Sequence, residues 1–532
     1  MVTGGDMAGA RRRGRDIAAL CIHRIPGIFN RERVLSPEKA GVHDDDSWYL
    51  VALTMRKFGK GPYPQQSGLL EEEESVKILL VSPCAERDKQ TAKVNLMPQL
   101  ALYLLAGLTP EEHEVRILEE NVEPVDLDTE CDLVGISCMT ANAPRGYQIA
   151  AEFRKRGKKV VMGGVHPTVM PGEARLHADS VVVGEAEGVW RDLLADAAAG
   201  KLKPLYHKPE PSLEEYVHIR HREMKRKRLF GVIPVMTTRG CPYDCEFCSV
   251  TDLFGKKVRH VPVDNVVRDI DDSGGKFYMF LDDNIVGHRK YARELFSAIA
   301  PLKIRWVGQA SLSFASDEGL MKLAADSGCI GLFFGLESVS KKQLETMRKS
   351  IKEIDKIEDA IRRIKGHGIA FHPSLIFGFD EDTEDIFPDT LDFLERNRIF
   401  SLSLNTLTPY PGTRVYDRFK KEGRLLTEDW QYYDHKTVVF TPKKLTPYQL
   451  QAGRLWVFNE FTRLTGIAKR LPYNLDHLAL FTAMSLGRRK VCRGEMREFP
   501  DLVRRHFPGD AHRLSGNGSI QALLHAAISS NG

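Results

Sequence analysis

Two arrays in which short apolar runs alternate with helical patterns dominate this chain and restrict it to a parallel-sheet architecture. In the first array, Ile78-Leu79-Leu80-Val81, the apolar run 100–105 and Val115-Arg116-Ile117-Leu118 follow one another. Leu133-Val134-Gly135-Ile136 then precedes a helical pattern over 147–155, Val160-Val161-Met162 precedes Gly163-Gly164, and Val181-Val182-Val183 precedes a helix ending near Ala199. Strands that alternate with helices predict a doubly wound, Rossmann-like parallel sheet, which binds ligands at the carboxyl ends of its strands. The second array has candidate strands over 232–238, 277–281, 304–307, 329–334, 370–377 and 402–406, with helical patterns between them. Six such repeats predict a partial or complete (β/α) barrel whose chemistry collects in the loops after the strands.

A chain of 532 residues exceeds what one hydrophobic core organises, and its composition shifts divide it. Residues 1–75, broken by charge, Gly, Pro and the run Glu71 to Glu74, read as a partly ordered extension. Residues 76–200 hold the first array, 201–230 a linker rich in Lys, Pro and Glu, and 231–442 the barrel. Residues 443–532 are helical and basic, with 14 Lys/Arg against 6 Asp/Glu. A net charge of only +4 gives no reason to expect a nucleic-acid partner. The apolar stretches, such as 478–484, fall short of the ~20 residues needed to span a bilayer. The arginines at 11, 12, 13 and 15 are not followed by a secretory core, so a cytoplasmic location is expected. Nine cysteines are too sparse for a disulfide framework, but three crowd into eight positions, which points to metal or catalysis.

Those three are Cys241-Pro-Tyr-Asp-Cys245-Glu-Phe-Cys248, directly after a predicted strand and an Arg239-Gly240 turn. Iron–sulfur clusters are normally held by four thiolates, so a loop offering three leaves one iron open to a further ligand. The alternative is a structural zinc with His260 as fourth ligand, but the spacing does not suit a zinc ribbon. The loop resembles the C-x3-C-x-φ-C signature of the radical S-adenosylmethionine (SAM) superfamily, with Phe247 at the aromatic position. The resemblance implies a [4Fe–4S] cluster on Cys241, Cys245 and Cys248, with SAM on the fourth iron and reductive cleavage to a 5′-deoxyadenosyl radical. Further segments match it at strand ends. Asp282-Asp283-Asn284 stands where the family usually has Gly-Gly-Glu, so that either aspartate is a candidate acceptor for the SAM amine. Glu337 and Ser338 resemble a ribose or methionine contact, and Gly378 belongs to a segment that passes the adenine. Thr408 to Thr413 resembles the segment common after the sixth strand.

The first array resembles the cobalamin-binding domain of the B12-dependent branch of that superfamily. The matching loops are Ser137 to Thr140, Gly163-Gly164-Val165-His166-Pro167-Thr168, and Gly184-Glu185-Ala186-Glu187-Gly188, each after a strand. Ser137, Thr140, Gly163, Gly164, His166, Gly184 and Glu185 are therefore expected to contact cobalamin, the glycines by allowing close backbone approach. The Asp-x-His-x-x-Gly element that supplies a histidine beneath cobalt in other cobalamin domains is absent. His166 is the tempting substitute, and a packing or tail-contact role suits it better. Cys329, in an apolar strand, reads as core.

With both cofactors, the resemblance implies methylation of an unactivated carbon: the radical removes hydrogen, and the carbon radical takes methyl from methylcobalamin. The carboxyl-end faces of sheet and barrel must then oppose each other with substrate between them. The alternatives are a cobalamin-assisted cyclase, oxidase or rrearrangement enzyme, or a radical SAM enzyme whose first domain is only a substrate or partner module. A methylthiotransferase is disfavoured because the extra amino-terminal cysteines and a trailing RNA-binding barrel are missing. Expected partners are a small-molecule or lipid-like substrate and an electron donor such as a flavodoxin or ferredoxin. The basic clusters Arg488-Arg489-Lys490 and Arg504-Arg505, beside the apolar residues 478–481, also allow peripheral contact with an anionic membrane.

Overall fold

The computed structural model describes residues 75–85, 97–209, 211–214, 219, 224, 232–346, 354–475 and 478–515. The expected extension therefore lies outside the described residues up to position 74, as does much of the linker.

The first array folds into a six-stranded, wholly parallel sheet. Its strands are β1 (Lys77–Ser82), β2 (Glu114–Glu119), β3 (Leu133–Ser137), β4 (Lys159–Gly163), β5 (Ser180–Val183) and β6 (Leu205–His207). The order β2-β1-β3-β4-β5-β6 reverses direction at β1, so the crevice beyond the ends of β1 and β3 is the topological switch point. Burial on both faces explains the unbroken apolar runs: Leu79, Leu80 and Val81 are fully buried, and separate clusters of side chains cover the two sides. The run at 100–105 is the start of a helix, Leu100–Leu108, rather than a strand.

The second array forms a curved six-stranded parallel sheet, a half-barrel, with order β14-β13-β12-β11-β10-β7. Its strands are β7 (Val232–Val235), β10 (Phe277–Phe280), β11 (Arg305–Ala310), β12 (Cys329–Glu337), β13 (Ala370–Phe377) and β14 (Ser403–Thr406). The strand expected over 232–238 is shorter. The Asp282 carboxylate accepts from the Thr237 N–H at 3.1 Å and from the Thr237 and Thr238 hydroxyls at 2.7 and 2.6 Å, drawing the chain out of the sheet. Thr238 and Arg239 then form their own strand β8 (Thr238–Arg239), antiparallel to β9 (Arg259–His260). The cysteine loop lies between these two short strands. Strands β11 and β12 run three residues beyond their expected ends.

The carboxyl-terminal region packs on the edge of the half-barrel through the helices Pro447–Thr462 and Leu478–His506. Thr446 caps the first of these, with Gln449 completing a capping box and Pro447 at its first turn. Gly453 in that helix lies against Phe387 of the barrel helix Ile386–Arg396: a Cβ there would lie 2.3 Å from the ring. Alanine at 453 gains about 1 kcal/mol in helix propensity but overpacks a buried ring at a cost of about 1–3 kcal/mol. We expect Gly453→Ala to lower the thermal unfolding midpoint and Phe387→Leu in the same chain to restore part of the loss; an unchanged midpoint in the single variant refutes this close approach.

Candidate functional site

Two cavities meet where the carboxyl ends of the two sheets face each other. The first, about 330 Å³, is floored by strand ends of the cobalamin-like sheet: Ser82, Ser137, Gly163, Gly164, Gly184 and Glu185. One wall is the apolar helix Leu100–Leu108, and the roof comes from the barrel through Met236, Thr238, Arg239, Leu253, Phe254 and Leu281. Gly164 has φ 94°, and a Cβ there would meet the Cys138 carbonyl oxygen at 2.7 Å. Only glycine lets this loop lie so close to the Cys138 backbone at the cavity floor. The second cavity, about 250 Å³, is lined by Cys241, Cys245, Cys248 and Phe247, and opposite them by Gln309, Phe333, Gly335, Glu337 and Ser374. Asp283 lies on the wall of both cavities.

This arrangement fits the implied groups. Three partly exposed thiols stand together on one loop at a barrel mouth, and Phe247 packs edge-on against Phe379 at 5.8 Å. His260 is exposed and stacks on Tyr291 at 4.6 Å, away from the cavity lining, and among the described residues no three His, Cys, Asp or Glu side chains close around a single ion. A corrinoid is a broad, flat macrocycle whose rim carries methyl groups and amide arms, which suits a glycine floor of exposed backbone beside an apolar wall.

The expected contact residues divide into two groups. Ser137, Gly163, Gly164, Gly184 and Glu185 line the first cavity, Phe247 and Glu337 the second, and Asp283 both. Glu337 adopts φ 67° where the β12–β13 register shifts, a conformation rarely taken by residues with a side chain. Burial and the neighbouring Asp282 push the Asp283 carboxyl up to about 6. The others stand behind the walls. Asp282 is fully buried and committed to Thr237 and Thr238; burial raises its pKa. Thr140 and His166 are buried together, with 3.4 Å between Oγ1 and Nδ1. His166 also meets Glu173 at 3.4 Å and lies edge-on to Trp430 at 5.3 Å; burial lowers its pKa against the pull of Glu173. Ser338 accepts from the Ser340 N–H at 3.1 Å, and Gly378 is pressed between Leu450 and Phe440. Cys329 is buried in the core cluster, and burial raises its pKa.

Sequence reasoning missed how the cysteine hairpin is held. Arg239 donates to Glu185 and Glu187, and Arg259 grips the same Glu185 with both Nη atoms, one at 3.1 Å, while donating to the Pro211 carbonyl at 2.9 Å. Burial works against charge on Glu187, yet Arg239 outweighs it and holds that carboxyl below its usual range. A second seam joins the domains elsewhere: Trp430 Nε1 donates to both oxygens of Glu173 at 3.0 and 3.1 Å.

Residues 235–394 match the family model described as the Radical SAM superfamily, and residues 91–194 match the B12 binding domain. The chain is 33% identical over 430 residues to bacteriochlorophyllide d C-12(1)-methyltransferase of Chlorobaculum tepidum, covering 77% of this chain and 93% of the relative. It is 31% identical over 396 residues to bacteriochlorophyllide d C-8(2)-methyltransferase of the same organism, covering 70% and 88%. Among solved structures, the cobalamin-dependent S-adenosylmethionine radical enzyme OxsB with aqua-cobalamin bound is similar in fold, with TM-score 0.60 and 16% identity over 90% of this chain and 83% of that one.

The loop after β13 carries a pH signature. Asp382 accepts from the Gly378 and Phe379 N–H groups at 2.8 and 3.0 Å, but burial outweighs these bonds and pushes its carboxyl up to about 7. The folded chain thus keeps a proton that the unfolded chain releases near pH ~3.9, so this group's contribution to stability is lost as pH rises between those values. Asp382→Asn keeps an acceptor for both N–H groups. We expect it to raise the unfolding free energy at about pH 8, by about 4 kcal/mol at most, and to change it little at about pH 4; the same change at both pH values refutes the assignment.

Proposed function

This chain belongs to the B12-dependent radical SAM enzymes and is methyltransferase-like, and from that membership we propose that it methylates an unactivated carbon at the edge of a cyclic tetrapyrrole. The substrate class follows the two Chlorobaculum relatives, named for bacteriochlorophyllide methylation, which match over 93% and 88% of their length. The observation that carries the reading is that Asp283 lies on the walls of both cavities, beside the barrel roof over the glycine floor of the first. When bound, the cluster with SAM supplies a hydrogen-abstracting radical and the corrinoid supplies the methyl group.

The chain's own residues bind, orient and exclude water. Cys241, Cys245 and Cys248 hold the cluster, and Phe247 against Phe379 keeps its outer side dry. Asp283 and Glu337 offer acceptors to SAM. Ser137, Gly163, Gly164 and Gly184 give the corrinoid a backbone floor. Asp282, Ser338 and Gly378 shape the loops around SAM from behind, as Thr140 and His166 do beneath the corrinoid. Residues 76–200, 231–442 and 443–532 act as corrinoid-binding, radical and capping domains, with 1–75 and 201–230 as extension and linker. A low-potential flavodoxin or ferredoxin would deliver the electron.

Among the described residues no helix is long and apolar enough to cross a membrane. Peripheral contact has a specific support: Leu464, Leu471, Tyr473, Leu475, Leu478 and Leu486 are each 36–60% exposed. Lys469, Lys490 and Arg493 are exposed nearby, a pairing that suits an anionic bilayer carrying an apolar substrate. Phe481, by contrast, turns inward onto Phe400, and the side chains of Ala479 and Leu480 lie outside the described residues. Leu475→Glu with Leu478→Glu should abolish sedimentation with phosphatidylglycerol vesicles; equal sedimentation with neutral phosphatidylcholine vesicles, or no loss in the variant, rejects this surface.

The test of function is anaerobic reconstitution with iron, sulfide and hydroxocobalamin, then reaction with SAM and a bacteriochlorophyllide. We expect about four irons and one cobalt per chain and a product heavier by one methyl group. Cys245→Ala should lose iron and product but keep cobalt. Iron without cobalt, or 5′-deoxyadenosine with no methylated product, rejects the reading.

A further inference from the structure

Glu185 and Glu187 follow β5, on the floor of the corrinoid cavity, whereas Arg239 and Arg259 face each other across the β8–β9 pair that brackets the cysteine loop. The side chains of Glu185 and both arginines are nine-tenths or more buried, and that of Glu187 is 24% exposed. Arg239 lies two residues before Cys241, so its guanidinium and the first cluster ligand share one short stretch of backbone. Taking four charges from water is costly, and apolar contacts of equal volume hold two surfaces together at least as firmly. Carboxylate–guanidinium forks, however, fix angle and distance together.

We propose that Glu185, Glu187, Arg239 and Arg259 are positioning residues that couple the corrinoid floor to the cluster loop, setting where the methyl donor stands relative to the site of hydrogen abstraction. The inference rests on the two-cofactor reading above. Loosening the network leaves each cofactor bound but misaligns the two half-sites, and angstrom misplacements of this kind are costly where two reactive centres must address one carbon. The group most open to test is Glu187, held by Arg239 alone of the two arginines and more exposed than Glu185, so that its neutralisation leaves the Glu185 forks to both arginines in place.

The experiment compares wild type, Glu187→Gln and Trp430→Phe. The last removes the Nε1 donor of the second seam, off both cavity linings, while leaving Glu173 on His166, and so reports any general weakening of the domain contact. At saturating hydroxocobalamin and SAM, Glu187→Gln is expected to keep its iron and cobalt and to cleave SAM. Its methylated product per 5′-deoxyadenosine should fall at least fivefold, with Trp430→Phe near the wild-type ratio. A second readout needs no turnover. Adding hydroxocobalamin should slow amide hydrogen exchange both in the 184–188 loop and in the 238–260 hairpin of the wild type, but only in the loop of Glu187→Gln. An unchanged ratio, an equal fall in both variants, or hairpin protection that persists in Glu187→Gln overturns the proposal. If the wild type methylates nothing, the functional reading fails on its own and hydrogen exchange alone decides the coupling.

Discussion

Buried carboxylates and guanidiniums tie the cysteine hairpin to the loop after β5, and the facing of the two cavities rests on that tie. Each ion gives up several kcal/mol of hydration on burial, and its partners return this only when nearly every donor finds an acceptor. Most of the nitrogens are engaged: Arg239 also directs its Nε–H to the Met236 sulfur at 3.0 Å, and Arg259 donates to the Pro211 carbonyl at 2.9 Å, while the Arg259 Nε–H is buried without an acceptor. Such a junction has little tolerance for sliding, because a shift that an apolar seam would absorb breaks several charged bonds at once. Its worth lies in registry more than in net stability. The Trp430–Glu173 contact and the close approach of Gly412 to Val169 add a second point of attachment, and two separated attachments fix an angle that one cannot.

That registry brings two sheets together by the same end. Both are wholly parallel, so each presents all its strand carboxyl ends, with their loops, on one face. The reversal at β1 opens the crevice in one sheet, and the withdrawal of Thr237 and Thr238 onto Asp282 starts the cysteine hairpin in the other. Asp282 therefore does its work inside the protein. A carboxylate facing the cavity would be open to solvent or a ligand, whereas this one is spent on directing the chain into the three-cysteine loop.

Much of this was legible in the sequence, for identifiable reasons. Parallel strands buried on both faces leave unbroken apolar runs, and the three cysteines announce themselves by spacing. The strand ends were less legible. Val232 to Thr238 reads as one apolar strand, but it is cut by a hydrogen-bonding partner 45 residues away. Thr140 and His166 share the loops of true cavity residues, and nothing in a linear pattern tells that they point behind the wall, toward Trp430. Likewise Glu185 lines the first cavity as its loop suggests, but that its carboxylate sits between two arginines 54 and 74 positions on is not written in the local pattern. Period and spacing encode which element a residue occupies; which side it faces at an element's end is decided by partners distant in sequence.

The half-barrel poses one further problem, since a sheet that does not close leaves edge strands with unpaired backbone groups. Here β7 and β14 are the edges, and the carboxyl-terminal helices cover β14. Arg454, itself buried, donates to the Leu404 carbonyl at 3.0 Å and pairs with Glu495, while the Thr406 N–H reaches the His435 carbonyl at 2.8 Å. The helix Leu478–His506, about 43 Å long at 1.5 Å per residue, meets Phe400 through Phe481 near its start and Tyr432 through His506 at its end. It therefore runs from the approach to β14 to the segment that holds the Trp430 seam. Gly453 is what allows the intervening helix to approach the barrel closely enough for Arg454 to reach the strand. The same covering helices carry the exposed leucines, so sealing the barrel edge and presenting an apolar surface are two faces of one element. An incomplete barrel can thus stay open at its mouth while the β14 flank is shielded from pairing with another chain.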